Sequence, residues 1–225
     1  MKHIRIAIDG PSGAGKSTLA RSIAAKLGYV YVDTGAIYRT ISCYVLEQGI
    51  DPADEEAVLA ALPQAKVEIR YGADGLQHML LNGTDVTERI RRPEVSGCAS
   101  VVSAHPGVRA HLLEMQRQMA ASDNVVMDGR DIGTVVLPDA EVKVFLTATA
   151  QERARRRTRE LEQRGTPQSY ETTLREIEER DWNDTHRATA PLRQAEDAVM
   201  LDTTQLDFQA SEEALLRIIQ ERSGT

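Results

Sequence analysis

Apolar alternating segments and amphipathic segments follow one another at the start of the chain. Residues 4–8 have the alternation of a strand and end at an Asp-Gly pair. Residues 16–28 carry apolar side chains at helical spacing and close with a glycine. A second strand over 29–32 and a second helix over 34–49 repeat this order. Because strands and helices alternate, we expect the strands to run parallel.

The middle of the chain departs from this alternation. Residues 66–86 contain two turn-forming pairs, Asp74-Gly75 and Asn82-Gly83, between β-like runs. Such pairs are the strongest short-range signal of a hairpin. This stretch therefore predicts a small antiparallel insert.

The remaining segments return to short apolar strands and amphipathic helices. Strands are predicted at 124–128, 142–146 and 198–202. Helices are predicted at 92–104, 107–121, 153–165, 169–187 and 210–222. The pattern as a whole predicts an α/β protein whose 225 residues form one core with excursions.

Composition narrows the classes of partner. The formal net charge of -7 argues against nucleic acid and membrane surfaces, since both would repel the protein as a whole. Aromatic residues, at 4%, are too sparse for base-stacking platforms. Of the 27 basic residues 22 are arginine, which favours bidentate grip on phosphates, although a composition bias of the organism explains the excess equally well.

The cysteines and the first residues bear on the cellular compartment. Cys43 and Cys98 lie in predicted helices without a short-spaced partner or a histidine cluster. The chain runs directly into a strand, and no stretch approaches ~18 uninterrupted apolar residues. We expect a cytoplasmic protein without structural zinc and without a membrane span.

A glycine-rich loop joins the first predicted strand to the first helix. The sequence GPSGAGKS fits the phosphate-loop pattern G-x-x-x-x-G-K-[ST] at every fixed position. A chance glycine turn is the alternative, but the strand before the loop and the helix after it favour a nucleoside triphosphate site. The predicted ATP contacts are Gly10, Pro11, Ser12, Gly13, Ala14, Gly15, Lys16, Ser17 and Thr18. Lys16 would reach the β- and γ-phosphates, and Ser17 would ligate Mg²⁺.

Several protein classes share such a loop. A GTPase-like switch would need the motifs N-K-x-D and D-x-x-G, and the sequence has neither. A motor or AAA-type ATPase would normally be larger. A small kinase with its acceptor bound beside the loop remains.

A second anion site is expected for a phosphorylated acceptor. Thr34 and Arg39 follow the second predicted strand, where Thr34 could instead cap the helix and Arg39 could be a surface cation. Arg130 follows the third central strand, and ligands of such sheets bind beyond the carboxyl ends of the strands. Asp128 precedes it and could hold Mg²⁺ through water or simply form the turn.

The two charged helices admit two interpretations each. Five arginines stand in residues 153–159, either as a solvated face with pairs such as Arg156 with Glu160, worth ~0.2–0.5 kcal/mol each, or as an anion-binding segment. Arg153 and Arg157, at i and i+4, are the expected catalytic arginines of a closing lid.

A second set of charges, on the helix over 169–187, shares one helical face. It forms either an intrahelical ion-pair ladder or a contact with sugar and phosphate. Its members are Arg180, Asp184 and Arg187.

Four segments together carry a resemblance. GPSGAGKST, DTGAIYR, DGRDIGTVV and RDWNDTHRATAPL, in that order and at these separations, resemble the bacterial cytidylate kinase family of nucleoside monophosphate kinases. The resemblance spans nearly the whole chain, and the insert over 66–86 is similar to the extra sheet of that family. Thr34 stands where many members have serine.

The resemblance implies a phosphate-loop NTPase fold with a five-stranded parallel sheet flanked by helices, an antiparallel β insert and a helical lid. The expected core comprises 1–35, 122–150 and 195–225 of a single chain, 1–225. The acceptor-binding region would be 36–121 with its hairpin insert at about 64–90, and the lid would be about 151–168.

The resemblance also implies Mg-ATP-dependent phosphorylation of CMP and dCMP by a monomer. Residues implied at CMP are Arg39, Arg130 and Arg187 for the phosphate, Arg180 and Asp184 for the sugar, Ser100, Arg109 and Asp131 for the base, and Thr34 nearby. The exocyclic amine of cytosine suits Asp131, and uracil would leave that carboxylate facing a carbonyl, at about 1–3 kcal/mol or more. Alternatives are a kinase for UMP or a metabolite alcohol, and a regulatory module that binds NTP without turnover.

Overall fold

The computed structural model describes residues 3–72 and 75–224. Asp74, in the first predicted turn of the insert, lies outside the described residues. The chain divides into two compact units. The first unit consists of Met1–Val30 and Asp123–Thr225, and the second of Tyr31–Ser122.

Five strands form the main sheet. They are β1 (Arg5–Asp9), β2 (Val30–Asp33), β6 (Val125–Gly129), β7 (Val142–Thr147) and β8 (Val199–Asp202). Their order across the sheet is β2-β6-β1-β7-β8, with β1 parallel to both β6 and β7, and β7 parallel to β8. The five-stranded parallel sheet predicted from the sequence is confirmed. Because β1 is the central strand, its carboxyl end lies next to the loops that follow β6 and β7.

Eight α-helices are described. They are α1 (Lys16–Leu27), α2 (Thr34–Glu47), α3 (Glu55–Ala61), α4 (Pro93–Val102), α5 (Pro106–Met119), α6 (Ala150–Gln163), α7 (Tyr170–His186) and α8 (Phe208–Ser223). The sequence pattern did not predict α3. Its start is fixed by Asp54, whose side chain accepts from the backbone N–H of Ala57.

The start of α2 excludes one of the two alternatives for Thr34. Asp33, rather than Thr34, caps this helix, because its carboxylate accepts a hydrogen bond from the N–H of Ala36 at 2.9 Å. Thr34 is instead the first helical residue and is buried. The hydroxyl of Thr34 is therefore not needed to begin the helix.

The predicted antiparallel insert is confirmed. It consists of β3 (Val67–Tyr71), β4 (Gln77–Leu81) and β5 (Thr84–Asp85), in that order. Asn82 and Gly83 join β4 to β5 with positive φ angles of 50° and 82°. Both central residues of a type I′ hairpin turn require such angles, which is why Asn-Gly is favoured there.

Each unit has its own apolar core. In the first unit the three central strands β1, β6 and β7 are almost wholly buried. In the second unit α2, α4 and α5 enclose fully buried side chains, among them Ile37, Ile41, Val102, Val108 and Leu112. Cys43 and Cys98 are free and buried in this second core. Among the described helices, none has the length and apolar character needed to cross a membrane.

Candidate active site

The glycine-rich loop lies between β1 and α1, and its backbone requires glycine. Gly10 has a φ of 152°, and a Cβ there would lie 1.9 Å from the carbonyl oxygen of Leu146. Gly13 and Gly15 also have positive φ angles, 72° and 89°. These conformations let successive backbone N–H groups turn toward a phosphate at the N-terminus of α1.

Lys16 is the buried cation of this loop. Its ammonium donates to the carbonyl of Pro11 at 2.8 Å, and the residue is 5% exposed. Burial, and after it the charge of Arg130, together lower the pKa of Lys16 to about 7. Asp128, Asp184 and Asp9 oppose that shift. A phosphate ligand would favour the charged form in the same way as these carboxylates.

Ser17 and Asp128 place two oxygen donors together. The Ser17 hydroxyl donates to Oδ2 of Asp128 at 2.8 Å, and Asp128 is buried at the end of β6. Mg²⁺ prefers oxygen ligands and is usually bound by one or two side chains together with water and phosphate oxygens. The pair fits such a site. Over residues 3–72 and 75–224, no group of three or more His, Cys, Asp or Glu side chains could form an all-protein metal site.

The loop after β6 and the end of α7 bring four of the five predicted acceptor residues of the first unit together. Nε of Arg130 donates to Oδ2 of Asp184 at 2.7 Å. Nitrogens of Arg187 lie 3.8 Å from Asp131 and 3.9 Å from Asp184. These four side chains are largely buried. We call Arg130, Asp131, Asp184 and Arg187 the paired-charge cluster.

The charge state of Asp184 follows from its pairing with arginines. Burial acts to raise the pKa of Asp184, but the charges of Arg130 and Arg180 outweigh burial and lower it. The carboxylate is therefore ionised near neutral pH.

Arg187 follows the last helical residue, His186, so the predicted helix ends one residue earlier than expected. The backbone of Arg187 is extended, so the chain leaves the helical path at this residue of the paired-charge cluster.

A buried carboxylate that the sequence interpretation did not single out supports the same loop. One turn of π-helix, Ile132–Val136, follows Asp131. Asp9 accepts hydrogen bonds from the N–H groups of Ile132 and Gly133, both at 2.7 Å. The only sequence signal was an aspartate directly before the glycine-rich loop.

The second unit holds the other predicted acceptor residues, beginning with Arg39. Its guanidinium pairs with Asp33 at 2.8 Å. A Cβ on Gly35 would lie 2.9 Å from Nη1 of Arg39, so glycine leaves room for that guanidinium at the start of α2. Gln77 of the insert accepts from the N–H of Asp33 at 2.8 Å, a support that the sequence did not indicate.

Arg109 and Ser100 lie on α5 and α4 of the same unit. The Arg109 guanidinium lies 5.4 Å from the ring centroid of Tyr38 and donates to the carbonyl of Ser103 at 3.1 Å. Arg109 is buried and Ser100 is half-buried. The carbonyl of Ser100 accepts from the hydroxyl of Ser103.

The two predicted lid arginines on α6 have different surroundings. Arg153 is 4% exposed, forms two hydrogen bonds with Asp181 of α7, and donates to the carbonyl of Ser12 at 2.8 Å. It therefore ties α6 and α7 to the glycine-rich loop. Arg157 is half-buried and pairs with Glu160 at 2.9 Å.

The expected pair of Arg156 with Glu160 is wrong. Arg156 instead bonds Glu152 at 3.1 Å and the carbonyl of Thr203 at 2.6 Å. Thr203 draws the guanidinium toward the start of the helix, while Arg157 and Arg164 occupy Glu160.

Comparison with known proteins identifies the family. Residues 6–221 match the sequence model described as "Cytidylate kinase". The chain belongs to the cytidylate kinase family. The cytidylate kinase of Carboxydothermus hydrogenoformans is 53% identical over 216 residues, covering 96% of this chain and 97% of the relative. That of Caldicellulosiruptor bescii is 50% identical over 220 residues, covering 98% of this chain and 96% of the relative.

Solved structures agree with the fold at low sequence identity. A structure of an uncharacterized protein from Eubacterium ventriosum has a TM-score of 0.52 and 12% identity, covering 98% of this chain and 100% of that chain. Membership of the cytidylate kinase family makes the chain a phosphotransferase and confirms the family inferred from the four sequence segments.

Proposed function

We propose that the protein transfers the γ-phosphoryl group of Mg-ATP to CMP and dCMP, forming ADP and the cytidine diphosphates. The observation that carries the proposal is geometric. Ser17 of the glycine-rich loop donates to Asp128 at 2.8 Å, and Arg130, two residues after Asp128, donates to Asp184 at 2.7 Å. A donor phosphate at Lys16 and an acceptor phosphate at Arg130 would therefore be close neighbours within the first unit.

The donor half of the reaction uses the loop from Gly10 to Thr18. Its backbone N–H groups and the ammonium of Lys16 hold the phosphates. Ser17 would hold Mg²⁺ directly and Asp128 would hold it through water, and the hydrogen bond between these two side chains supports the assignment. When bound, the ion supplies positive charge that offsets the negative charge of the transferred group.

Charged and polar residues carry the acceptor half of the reaction. In the first unit Arg130 and Arg187 bind the phosphate, Arg180 and Asp184 the sugar, and Asp131 the base. In the second unit Arg39 contributes to the phosphate, Thr34 lies beside the nucleotide, and Ser100 and Arg109 contribute to the base. The ionised Asp184 and the arginines paired with it support these roles.

Base selection rests on Asp131. Its carboxylate is 5% exposed, so an unmatched polar group placed against it would be costly. Cytosine presents an amino group that donates to a carboxylate, whereas uracil presents a carbonyl at the same place. The loss on exchanging the bases is about 1–3 kcal/mol or more.

Phosphoryl transfer needs no general base, because the acceptor phosphate is already largely ionised near pH 7. Alignment and charge neutralisation remain as the sources of rate. Lys16, Arg153 and Arg157 supply the cationic charge, and the bond from Arg153 to the carbonyl of Ser12 supports its place beside the loop. The segment of about 151–168 that carries these arginines acts as the lid.

A comparison of different monophosphate acceptors tests this function. ADP release from Mg-ATP is measured with CMP, dCMP, UMP, AMP, GMP and dTMP separately, and without acceptor. We expect strong selectivity for the two cytidylates. Selectivity for another acceptor would discard the roles of Ser100, Arg109 and Asp131, and ADP release independent of any acceptor would favour the regulatory module.

Two broader properties belong to the same proposal. The protein acts as a monomer, which size-exclusion chromatography with light scattering measures directly. It acts in the cytoplasm, where both nucleotides are available, and binds neither nucleic acid nor membrane, in keeping with its net charge of -7.

A further inference from the structure

Asp9 is a buried carboxylate with two backbone partners. It ends β1 directly before Gly10 and is 4% exposed. Oδ1 accepts from the N–H of Ile132, and Oδ2 accepts from the N–H of Gly133. Each carboxylate oxygen therefore holds one of two consecutive peptide groups.

Those two peptide groups begin the turn after Asp131. Within the turn, the N–H groups of Val135 and Val136 donate to the carbonyl of Asp131. The first N–H groups of any helical turn lack partners inside it and need an acceptor from elsewhere. Asp9 supplies both acceptors, so its side chain fixes the backbone immediately beyond Asp131.

Gly133 is closely surrounded at the point where Asp9 accepts its N–H group. A Cβ at this position would lie 3.3 Å from Oδ2 of Asp9 and 3.2 Å from Cδ of Lys143. The ammonium of Lys143 is bound to Asp197 at 2.8 Å, so the lysine stem is anchored against the glycine. The peptide of Gly133 is thus held from two sides.

We propose that Asp9 is a positioning residue for the acceptor: by fixing the turn after Asp131, it sets Arg130 toward the phosphate and Asp131 toward the base. The inference rests on the proposed roles of Arg130 and Asp131. A carboxylate is required because an asparagine would present one oxygen and one NH₂ group, and the NH₂ group would face a backbone N–H. The loop would then shift to separate the two donors.

Asp9→Asn tests the role through the difference between two substrates. Displacement of the loop raises the KM for CMP about tenfold or more, while the KM for ATP changes less than about threefold. Asp207→Asn is the matched control, because Asp207 also accepts a backbone N–H, that of Ala210, at 2.8 Å in an N-cap where asparagine is equally suitable. This control should leave both KM values unchanged.

Gly133→Ala disturbs the same contact between Asp9 and the turn, without altering the residue next to the glycine-rich loop. It should give the same rise in KM for CMP, and it decides the question if Asp9→Asn does not give a folded protein by circular dichroism. An equal rise in both KM values, or an unchanged KM for CMP in a folded variant, would overturn the positioning role. A wild-type protein without CMP-dependent ADP release would instead overturn the proposed function itself.

Discussion

Individual charged residues of the paired-charge cluster are paired with one another. Arg130 is hydrogen-bonded to Asp184, and Arg187 lies between Asp131 and Asp184. Pairing offsets much of the cost of holding these charges away from water. It also keeps each guanidinium in a defined direction before the acceptor phosphate arrives, so less ordering is needed on binding.

Arg130→Ala should weaken every monophosphate acceptor, whatever its base. Loss of charge-assisted hydrogen bonds, together with an unpaired Asp184, should lower kcat/KM for CMP by about 100-fold or more. UMP should lose a similar factor, since the phosphate is common to both. Initial rates of ADP release measure both losses.

Two matched variants sharpen this test. Arg130→Lys should recover only part of the loss, because an ammonium cannot make the bidentate contact. Arg217→Ala, at an exposed position of α8, should leave both acceptors unaffected. A loss confined to CMP would assign Arg130 to the base rather than to the phosphate.

Elements differ in how well the sequence predicts them. The alternating β1 and the amphipathic α1 follow from local pattern, and Gly28 closes α1 with a φ of 67° as expected. The turn Ile132–Val136 could not be predicted in this way, since five small and apolar residues are equally compatible with a strand. The sequence left the cap of α2 open, because Asp33 and Thr34 are both good N-cap residues.

A largely buried ion pair joins α6 to α7. Arg153 has a side chain only 5% exposed and forms two hydrogen bonds with Asp181. Asp181→Ala would leave this guanidinium without its carboxylate, and should lower the free energy of unfolding by about 2–3 kcal/mol. Urea denaturation followed by circular dichroism measures the change.

The control for this prediction lies on α6, the helix that carries Arg153. Glu160→Ala removes a carboxylate from the more exposed pairs with Arg157 and Arg164, and should cost less than about 0.5 kcal/mol. Equal destabilisation by the two substitutions would show that the buried pair does not hold the junction.

For the whole molecule, the alternation of strands and helices was sufficient to predict the fold class, and the resemblance of four segments to a known family was sufficient to predict the family. It could not reveal Asp9 with Gly133, or Gln77 with Asp33, because these partners are far apart in sequence and carry no local signature. The overall charge of -7 likewise hides a local concentration of arginines, which only the folded chain brings together. Distant pairing, rather than local pattern, sets the fine geometry of the candidate site.

The central claim is that Arg130 binds the phosphate while its neighbour Asp131 selects the base. The most direct measurement is the ratio of kcat/KM for CMP to kcat/KM for UMP, in the wild type and in Asp131→Asn, with the KM for ATP as an internal control. We predict that the substitution lowers this ratio about tenfold or more while the KM for ATP stays nearly constant. An equal loss with both acceptors, or normal phosphorylation of CMP, would contradict the claim.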